Sequence, residues 1–433
     1  MSISKQSQYI QFHESKNDKL YLEFNLYNVN VPLANGIRRI LLEEIPIVSF
    51  NIDSVKVNEN NTSLHNEYLQ HRLSLIPIDN HPYIPINSSF DFNKNKRIYT
   101  FNKKIDDFTI IEENTYNSDD NYKQKVVLSS DIKINNKIAE DYFKPDLNFT
   151  DSKEYNIITY LKSNKISSEK IDILCTPTIG ISKGNNACYN PTGTVSYHFI
   201  QEDDNIMKEK LKEYINYKKK ENKNRGIDNI DVKELTNDFY KLDCQRIYKK
   251  NQYYFKIESV GNLYPYELLT NSLTVFQLKL IDLLYNITYK NNKLIFNKNI
   301  SINNINNTYQ INIKDEDHTL GNVINQYILD NFTEYIEYCS YKMIHPLKNE
   351  LLLSINLKEN LKDLSNKLFY YNNKYEIKYV NDNKNYIIYI FEYSIISILK
   401  DIDNIKKSIP DKYRKMTYNI EDINKIEKFK NIS

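Results

Sequence analysis

The sequence predicts an α+β fold: two like units in one chain, the first interrupted by a mostly β insert. Three observations carry the prediction. Two distant segments, Leu33-Ala34-Asn35-Gly36-Ile37-Arg38-Arg39-Ile40-Leu41-Leu42 and Leu320-Gly321-Asn322-Val323-Ile324-Asn325-Gln326-Tyr327-Ile328-Leu329, both open on Leu, a small residue and Asn. Leu33, Ile37, Ile40 and Leu41 then share their spacing with Leu320, Ile324, Tyr327 and Ile328, which draws a single apolar stripe along each helix. Between the two helices, from about residue 85 to 195, the pattern is short strands and polar turns. Two matched stripes in one chain predict helices that pack face to face.

The elements follow in order. Leu20, Leu22, Phe24 and Leu26 alternate with Tyr21, Glu23 and Asn25, so residues near 8–30 read as a strand. Asn30 and Pro32 open the first helix, because proline is tolerated where no N–H is needed, and Ile45-Pro46 closes it. Ile47 to Val57 is a second strand, ending the first part of unit one at residues 1–57. Ser63 is placed to cap a short helix carrying Leu64, Tyr68 and Leu69, stopped before Pro77. Residues 58–197 form the insert and 198–250 a charged insertion, whose run from Lys208 to Lys223 reads first as a solvated helix or loop. Unit one resumes over 251–285, where Tyr264-Pro265 opens a helix with Leu268, Leu269, Ser272, Phe276, Leu280 and Leu283 on a broad apolar stripe. Asn-rich residues 286–308 are the linker, partly ordered if Leu294-Ile295-Phe296 adds a strand. The second unit, 309–433, runs through strand Tyr309–Ile313, a helix from Thr319, strand Leu351–Leu357 and a final helix from near Tyr393.

Composition narrows the function. Lys and Arg number 58 against 56 for Asp and Glu, a net charge of +2, which argues against a protein that works mainly by gripping phosphates. The bias to Asn, Lys, Ile and Tyr, with no Trp and 7 Gly, has the look of an AT-rich genome. Cys175, Cys188, Cys244 and Cys339 are scattered without a C-x-x-C pair, so no metal or other cofactor is assigned, and a reducing compartment suits them. The polar N-terminus lacks a signal-peptide core. The most apolar stretch, Tyr386 to Leu399, contains Glu392 and falls short of the roughly 20 residues that span a bilayer. These features, with a mean hydropathy of -0.63, predict a soluble cytosolic protein with no membrane partner.

Catalytic constellations are missing. Asp317-His318 lacks a nucleophile beside it; His65, Glu67 and His71 lack metal-site spacing; Glu202-Asp203-Asp204 stacks carboxylates in one polar run instead of opposing them across a cleft. No residue is assigned a catalytic role, and no Gly-rich phosphate loop is present.

The flanks of the two helices point to a family. Asn35-Gly36-Ile37-Arg38-Arg39-Ile40-Leu41-Leu42-Glu43-Glu44-Ile45-Pro46, then Asn60-Asn61-Thr62-Ser63 and Glu67-Tyr68-Leu69-Gln70-His71-Arg72-Leu73-Ser74-Leu75-Ile76-Pro77, closely resemble the α-like assembly subunit of cellular RNA polymerases. That is the third-largest subunit of the eukaryotic enzymes, or archaeal D. Lys183-Gly184 through Tyr197, and Phe255 to Gly261, fit the same family. Asp315-Glu316-Asp317-His318-Thr319-Leu320-Gly321-Asn322, with Tyr341 and His345-Pro346-Leu347, looks like its smaller partner, the eleventh subunit or archaeal L. The chain therefore resembles both halves of a heterodimer joined head to tail.

The resemblance implies a non-catalytic scaffold of a DNA-directed RNA polymerase, its paired units forming a platform for the second-largest and largest subunits. Neighbours of the tenth- and twelfth-subunit type are implied, with DNA met only through the complex. Arg38, Arg39 and Glu43 are implied at the interface with the second-largest subunit; Arg39 and Glu43, one turn apart, also suit a surface ion pair. Leu33, Asn35, Ile37, Ile40, Leu41, Leu320, Asn322, Ile324, Tyr327 and Ile328 are expected in the dimerisation helices. Asp317, His318, Thr319, Gly321, His345 and Pro346 are expected as motif turns. Fusion and composition look most like a large cytoplasmic DNA virus, which implies the host cytoplasm (the viral factory) and packaging in the virion. The alternative is a stand-alone nucleic-acid-binding protein using the lysines of 201–250; an unrecognised hydrolase has no constellation to support it.

Overall fold

The computed structural model describes residues 9–13, 19–79, 86–91, 96–101, 105–115, 123–139, 141–145, 154–163, 167–184, 186–225, 231–285, 287–290, 293–296, 300–305, 308–359, 383–410 and 418–420. The first unit is built on an antiparallel sheet in the order Ile10–Phe12, Tyr21–Tyr27, Tyr248–Ser259, Thr192–Gln201. Alternation sets its faces: Leu22, Phe24 and Leu26 are buried beside Phe255 and Ile257, while Tyr21, Glu23 and Asn25 point the other way. The stretch near 8–30 is thus two paired strands, with Ile10 opposite Leu26, where the sequence predicted one.

Helix α1 (Val31–Glu43) starts where Asn30 accepts the Leu33 N–H at 3.0 Å, with Pro32 in its first turn. Helix α2 (Asn66–Ser74) departs from expectation, because His65 and not Ser63 is its cap, with Nδ1 accepting the Glu67 N–H at 3.4 Å. Asn60 is the cause. It accepts from Thr62 N and Oγ1 at 2.9 and 2.7 Å and donates to the Leu64 carbonyl at 2.8 Å, which holds residues 60–64 in a turn. Leu69 and Leu73 face inward, whereas Tyr68 is 68% exposed.

The insert is mostly β. A five-stranded sheet runs Ile47–Asn60, Lys170–Gly180, Phe108–Glu113, Lys133–Ile134, Lys137–Ile138, beside the pair Lys123–Leu128 and Ile157–Ser163. A third sheet orders Tyr418–Ile420, Ile86–Asp91, Lys96–Phe101, its first pair parallel. Two expected boundaries shift. Ile47–Asn60 pairs with insert strands, and Thr192–Gln201, partly within the expected insert range 58–197, pairs into the first unit's sheet. Gln201 stands opposite Tyr248, so the charged insertion is an excursion from a hairpin whose two strands are neighbours. It holds helices α3 (Asp204–Asn224) and α4 (Val232–Asp238) around a small core of Met207, Phe239 and Cys244.

Helix α5 (Pro265–Tyr285) buries Leu268, Leu269, Ser272, Phe276, Leu280 and Leu283, and also Leu273, Thr274, Gln277 and Ile281, so it is enclosed on nearly every side. Within the expected linker, Ile287–Lys290 pairs with Lys293–Phe296, and Ile300–Ile305 already belongs to the second unit's sheet. That sheet is antiparallel, ordered Ile300–Ile305, Thr308–Lys314, Lys348–Leu357, Ile336–His345. Helix α6 (His318–Phe332) lies on it, closest at Gly321, where a Cβ would come within 2.5 Å of Leu351 and 2.7 Å of Tyr341. Helix α7 (Asn383–Lys407) begins well before the expected Tyr393, since the unbroken buried run Tyr386 to Phe391 has no period that separates strand from helix. Of the added stretch 358–389, residues 360–382 lie outside the described residues.

The helices α1 and α5 cover the first sheet and α6 covers the second. Between the sheets, α1 packs on α5 and α6, and α7 on α5 and α6. Gly36 is the tightest point. A Cβ there would sit 3.0 Å from the Phe276 ring of α5 and 3.4 Å from Val323 Cγ2 of α6. Gly36→Val is therefore expected to destabilise the chain by about 1–3 kcal/mol through overpacking, and Gly36→Ala by less. Urea unfolding checks this; a valine variant with the wild-type midpoint would refute the close approach.

Candidate assembly interface and its charged seam

Helices α1 and α6 pack on each other at the seam. Leu33, Ile37, Ile40 and Leu41 of α1 are buried, as are Leu320, Ile324, Tyr327 and Ile328 of α6, while Asn35 and Asn322 are half-buried. Tyr327 adds a hydrogen bond from its hydroxyl to Asp401 of α7 at 2.6 Å. Across the units, Lys406 of α7 donates to Thr274 of α5 at 2.8 Å, and Asn404 donates to the Tyr9 hydroxyl at 3.4 Å.

One rim of the seam is ionic. Asp317 caps α6, accepting the Thr319 N–H at 2.8 Å. Arg39 reaches over from α1, donating Nε–H to Thr319 Oγ1 at 2.8 Å with a terminal nitrogen 3.5 Å from Asp317. Lys183, in the loop leaving strand Lys170–Gly180, lies 2.9 Å from Asp317 and 3.1 Å from Glu44. Lys279 of α5 lies 2.6 Å from Glu44 and 3.1 Å from Glu316. Three cations thus alternate with three carboxylates drawn from both units.

Burial opposes the charged forms of Asp317, Glu44, Glu316, Lys183 and Lys279, and it prevails only at Glu316. For Asp317, burial is outweighed by Lys183, the Thr319 hydrogen bond and Lys279, which hold the carboxyl well below its usual range. Glu44 is likewise lowered against burial by Lys279 and Lys183. Glu316 goes the other way: burial, with the Glu44 charge nearby, pushes it up to about 7 despite Lys279. Lys279 and Lys183 are raised by these acids against burial.

The sequence-based assignment of Arg39 changes here. Its ion pair is with Asp317 across the seam, not with Glu43. Arg38 is turned away, its Nε donating to Asn35 Oδ1 at 3.0 Å, and its terminal N–H groups have no protein partner among the described residues. Glu43 is half-buried, and its carbonyl accepts the Lys183 N–H at 2.9 Å. His318 opens α6 with its ring 5.8 Å from Tyr341. His345 Nδ1 accepts the Leu347 N–H at 3.1 Å in an exposed turn with Pro346, and Leu347 is 89% exposed. Burial pushes the Cys175 and Cys339 thiols up to about 12. Among the described residues no cluster of His, Cys, Asp or Glu is placed to hold a metal, and no helix is long and apolar enough to cross a membrane.

Sequence reasoning missed Lys183, Glu44, Lys279 and Glu316 as a group. The available signal was Lys279, a lone cation inside the apolar run of α5. A carboxyl raised in the folded state stabilises below its unfolded value near 4.5, and that contribution is lost as pH rises through about 7. Asp317 and Glu44, held low, stabilise above about 4, and their contribution is lost on acidification. Glu316→Gln removes the first effect, so its stability relative to wild type is expected to improve between pH 5.5 and 8 by about 1–3 kcal/mol. Paired melting curves at the two pH values measure it; a difference independent of pH would show that Glu316 is not raised.

Comparison with known proteins places this geometry. Models described as the RNA polymerase Rpb3/Rpb11 dimerisation domain match twice, over residues 23–280 and 308–368. The chain is similar to the "conjugation stage-specific protein" of Tetrahymena thermophila, 28% identical over 60% of this chain and 88% of that protein. It is similar to DNA-directed RNA polymerase II subunit RPB3 of Schizosaccharomyces pombe, 24% identical over 60% of this chain and 81% of the relative. A shorter match, 39% identical over 16% of this chain and 25% of the relative, is to DNA-directed RNA polymerase subunit Rpo3 of Pyrococcus furiosus. With one match on each side of the α1–α6 seam, the chain belongs to the RNA polymerase Rpb3/Rpb11 dimerisation-domain family.

Proposed function

We propose that this chain is the assembly scaffold of a multisubunit DNA-directed RNA polymerase, with both halves of the usual heterodimer supplied by one polypeptide. The observation that carries this is the pairing of two family matches with a seam in which α1 and α6 pack on each other inside one molecule. Fusion makes the pairing step unimolecular, at an effective concentration of order mM for a short linker. The second-largest and then the largest subunit dock on the resulting platform, and small subunits of the tenth- and twelfth-subunit type flank it. The fused form and the Asn-, Lys- and Ile-rich composition support a large cytoplasmic DNA virus as its source, with the protein in the host cytoplasm and the virion. Affinity purification of the tagged chain tests the scaffold reading; the two large subunits are expected to co-elute, and a chain recovered without them would overturn it.

Within this reading Arg38 is the outward contact for the second-largest subunit, with Glu43 a further contact residue, because the Arg38 guanidinium fork is open while that of Arg39 is engaged at the seam. The two arginines should then separate by experiment. Arg38→Ala is expected to melt like wild type yet lose about 2–5 kcal/mol of binding to that subunit. Arg39→Ala is expected to lower the chain's own stability by about 1–2 kcal/mol, since Asp317 keeps Lys183. Co-purification beside circular-dichroism melts reads both; full assembly by Arg38→Ala would remove that residue from the interface.

A further inference from the structure

The charged excursion has a two-sided helix at its centre. On α3, Met207, Leu211 and Tyr214 face the small core with Phe239, Cys244 and Ile247. Next to that face the charges are paired: Lys210 with Glu213 at 2.8 Å, and Lys218 and Arg225 with Glu221 at 3.0 and 2.8 Å. The remaining side differs. Lys208, Lys212, Lys219 and Lys223 fall within an arc of about 60° at 3.6 residues per turn. All four are exposed, and none has an ion-pair or hydrogen-bond partner among the described residues. Asn205 shares that arc and no acid lies within it, the nearest being Asp204 and Glu209, each about 40° beyond one of its edges.

A helix that only needs solubility alternates its signs one turn apart, as α3 does on its paired side. Lys208 with Lys212, and Lys219 with Lys223, instead place like charges one turn apart, an arrangement that works against an isolated helix. Composition alone supplies many lysines but does not sort them by face. The stripe is about 22 Å long at 1.5 Å per residue, and duplex DNA presents one negative charge per ~1.7 Å of axis. Lysine is a point charge that suits phosphate, whereas protein interfaces are depleted in lysine and centre on apolar anchors that this arc lacks. The root of the excursion is firm, since Thr192–Gln201 and Tyr248–Ser259 pair up to Gln201 opposite Tyr248, and Lys249 holds Asp203 at 2.7 Å.

We propose that the lysine face of α3 binds the phosphate backbone of duplex DNA without reading sequence. It thereby adds a direct nucleic-acid contact to a chain expected to meet DNA only through other subunits. The inference does not rest on the scaffold reading, because the isolated full chain can be tested.

Fluorescence anisotropy of a labelled duplex of about 30 base pairs, titrated with the full chain at about 50 and 200 mM salt, gives the test. Four phosphate contacts give a log–log salt slope of about -3.6, a roughly 100-fold loss of affinity across that range. The variant Lys208→Gln/Lys212→Gln/Lys219→Gln/Lys223→Gln should lose at least about 10-fold at low salt and most of the slope. The control Lys210→Gln/Lys218→Gln, on the paired side, should keep both, and circular dichroism should show both variants folded. No binding by wild type at low salt, or an unchanged slope in the fourfold variant, would overturn the proposal. Polyglutamate bound more tightly than the duplex, and lost in the same variant, would reassign the face to an acidic protein and equally overturn it.

Discussion

The ammonium group of Lys183 is the point on which the arrangement of the molecule turns. It lies between Glu44, at the end of the first unit's α1, and Asp317, the cap of the second unit's α6. Lys183 itself belongs to the loop that leads from the insert back to the first sheet. One cation thus ties three parts of the chain that the sequence keeps far apart. Neither carboxylate tolerates burial alone, so the seam is electrostatically complete only when insert, first unit and second unit are all in place. The apolar stripes supply the attraction between the units, and the ionic rim fixes their relative register, because a slid or rotated α6 would leave charges buried without partners.

Much of this architecture could be read from residue order. The paired stripes of α1 and α6 are local and periodic, so helix, face and likeness were all visible. What escaped was governed by distant partners. Thr192–Gln201 looks like one more insert strand until Tyr248–Ser259 pairs with it across the charged excursion. Ser63 is a good cap by type, yet the side chain of Asn60 holds the turn beyond it and passes the role to His65. The start of α7 was placed late because Tyr386 to Phe391 is apolar on every side and carries no period. The ion cluster escaped for a different reason: only Lys279, alone in the apolar run of α5, stands out in the sequence, while Glu44, Lys183 and Glu316 look unremarkable until the fold brings them within ion-pair distance.

The two arginines show how a motif can conceal a division of labour. Adjacent residues on a helix point about 100° apart, and here that angle separates an inward bond from an open guanidinium. Arg39 is engaged across the seam, whereas among the described residues Arg38 bonds only within its own helix, to Asn35. Glycine divides its work in a similar way. Gly36 admits two neighbouring helices, while Gly321 lets α6 settle on its own sheet. Both therefore set how closely a helix approaches its neighbour, although Gly36 follows the shared Leu-small-Asn start and Gly321 is the small residue within it.

The short strand Tyr418–Ile420 runs parallel to Ile86–Asp91 of the insert, though it comes after the sheet and helices of the second unit in the chain. Its pairing gives the polypeptide a closed course: out of the insert, through both units, and back to the sheet where it left. Separation of the units would have to break that backbone ladder as well as the seam. During synthesis the order is reversed, since Ile86–Asp91 emerges long before its partner and waits as an open sheet edge. The nascent insert is thus a temporary template for stray strands, and completion of the second unit is what retires it.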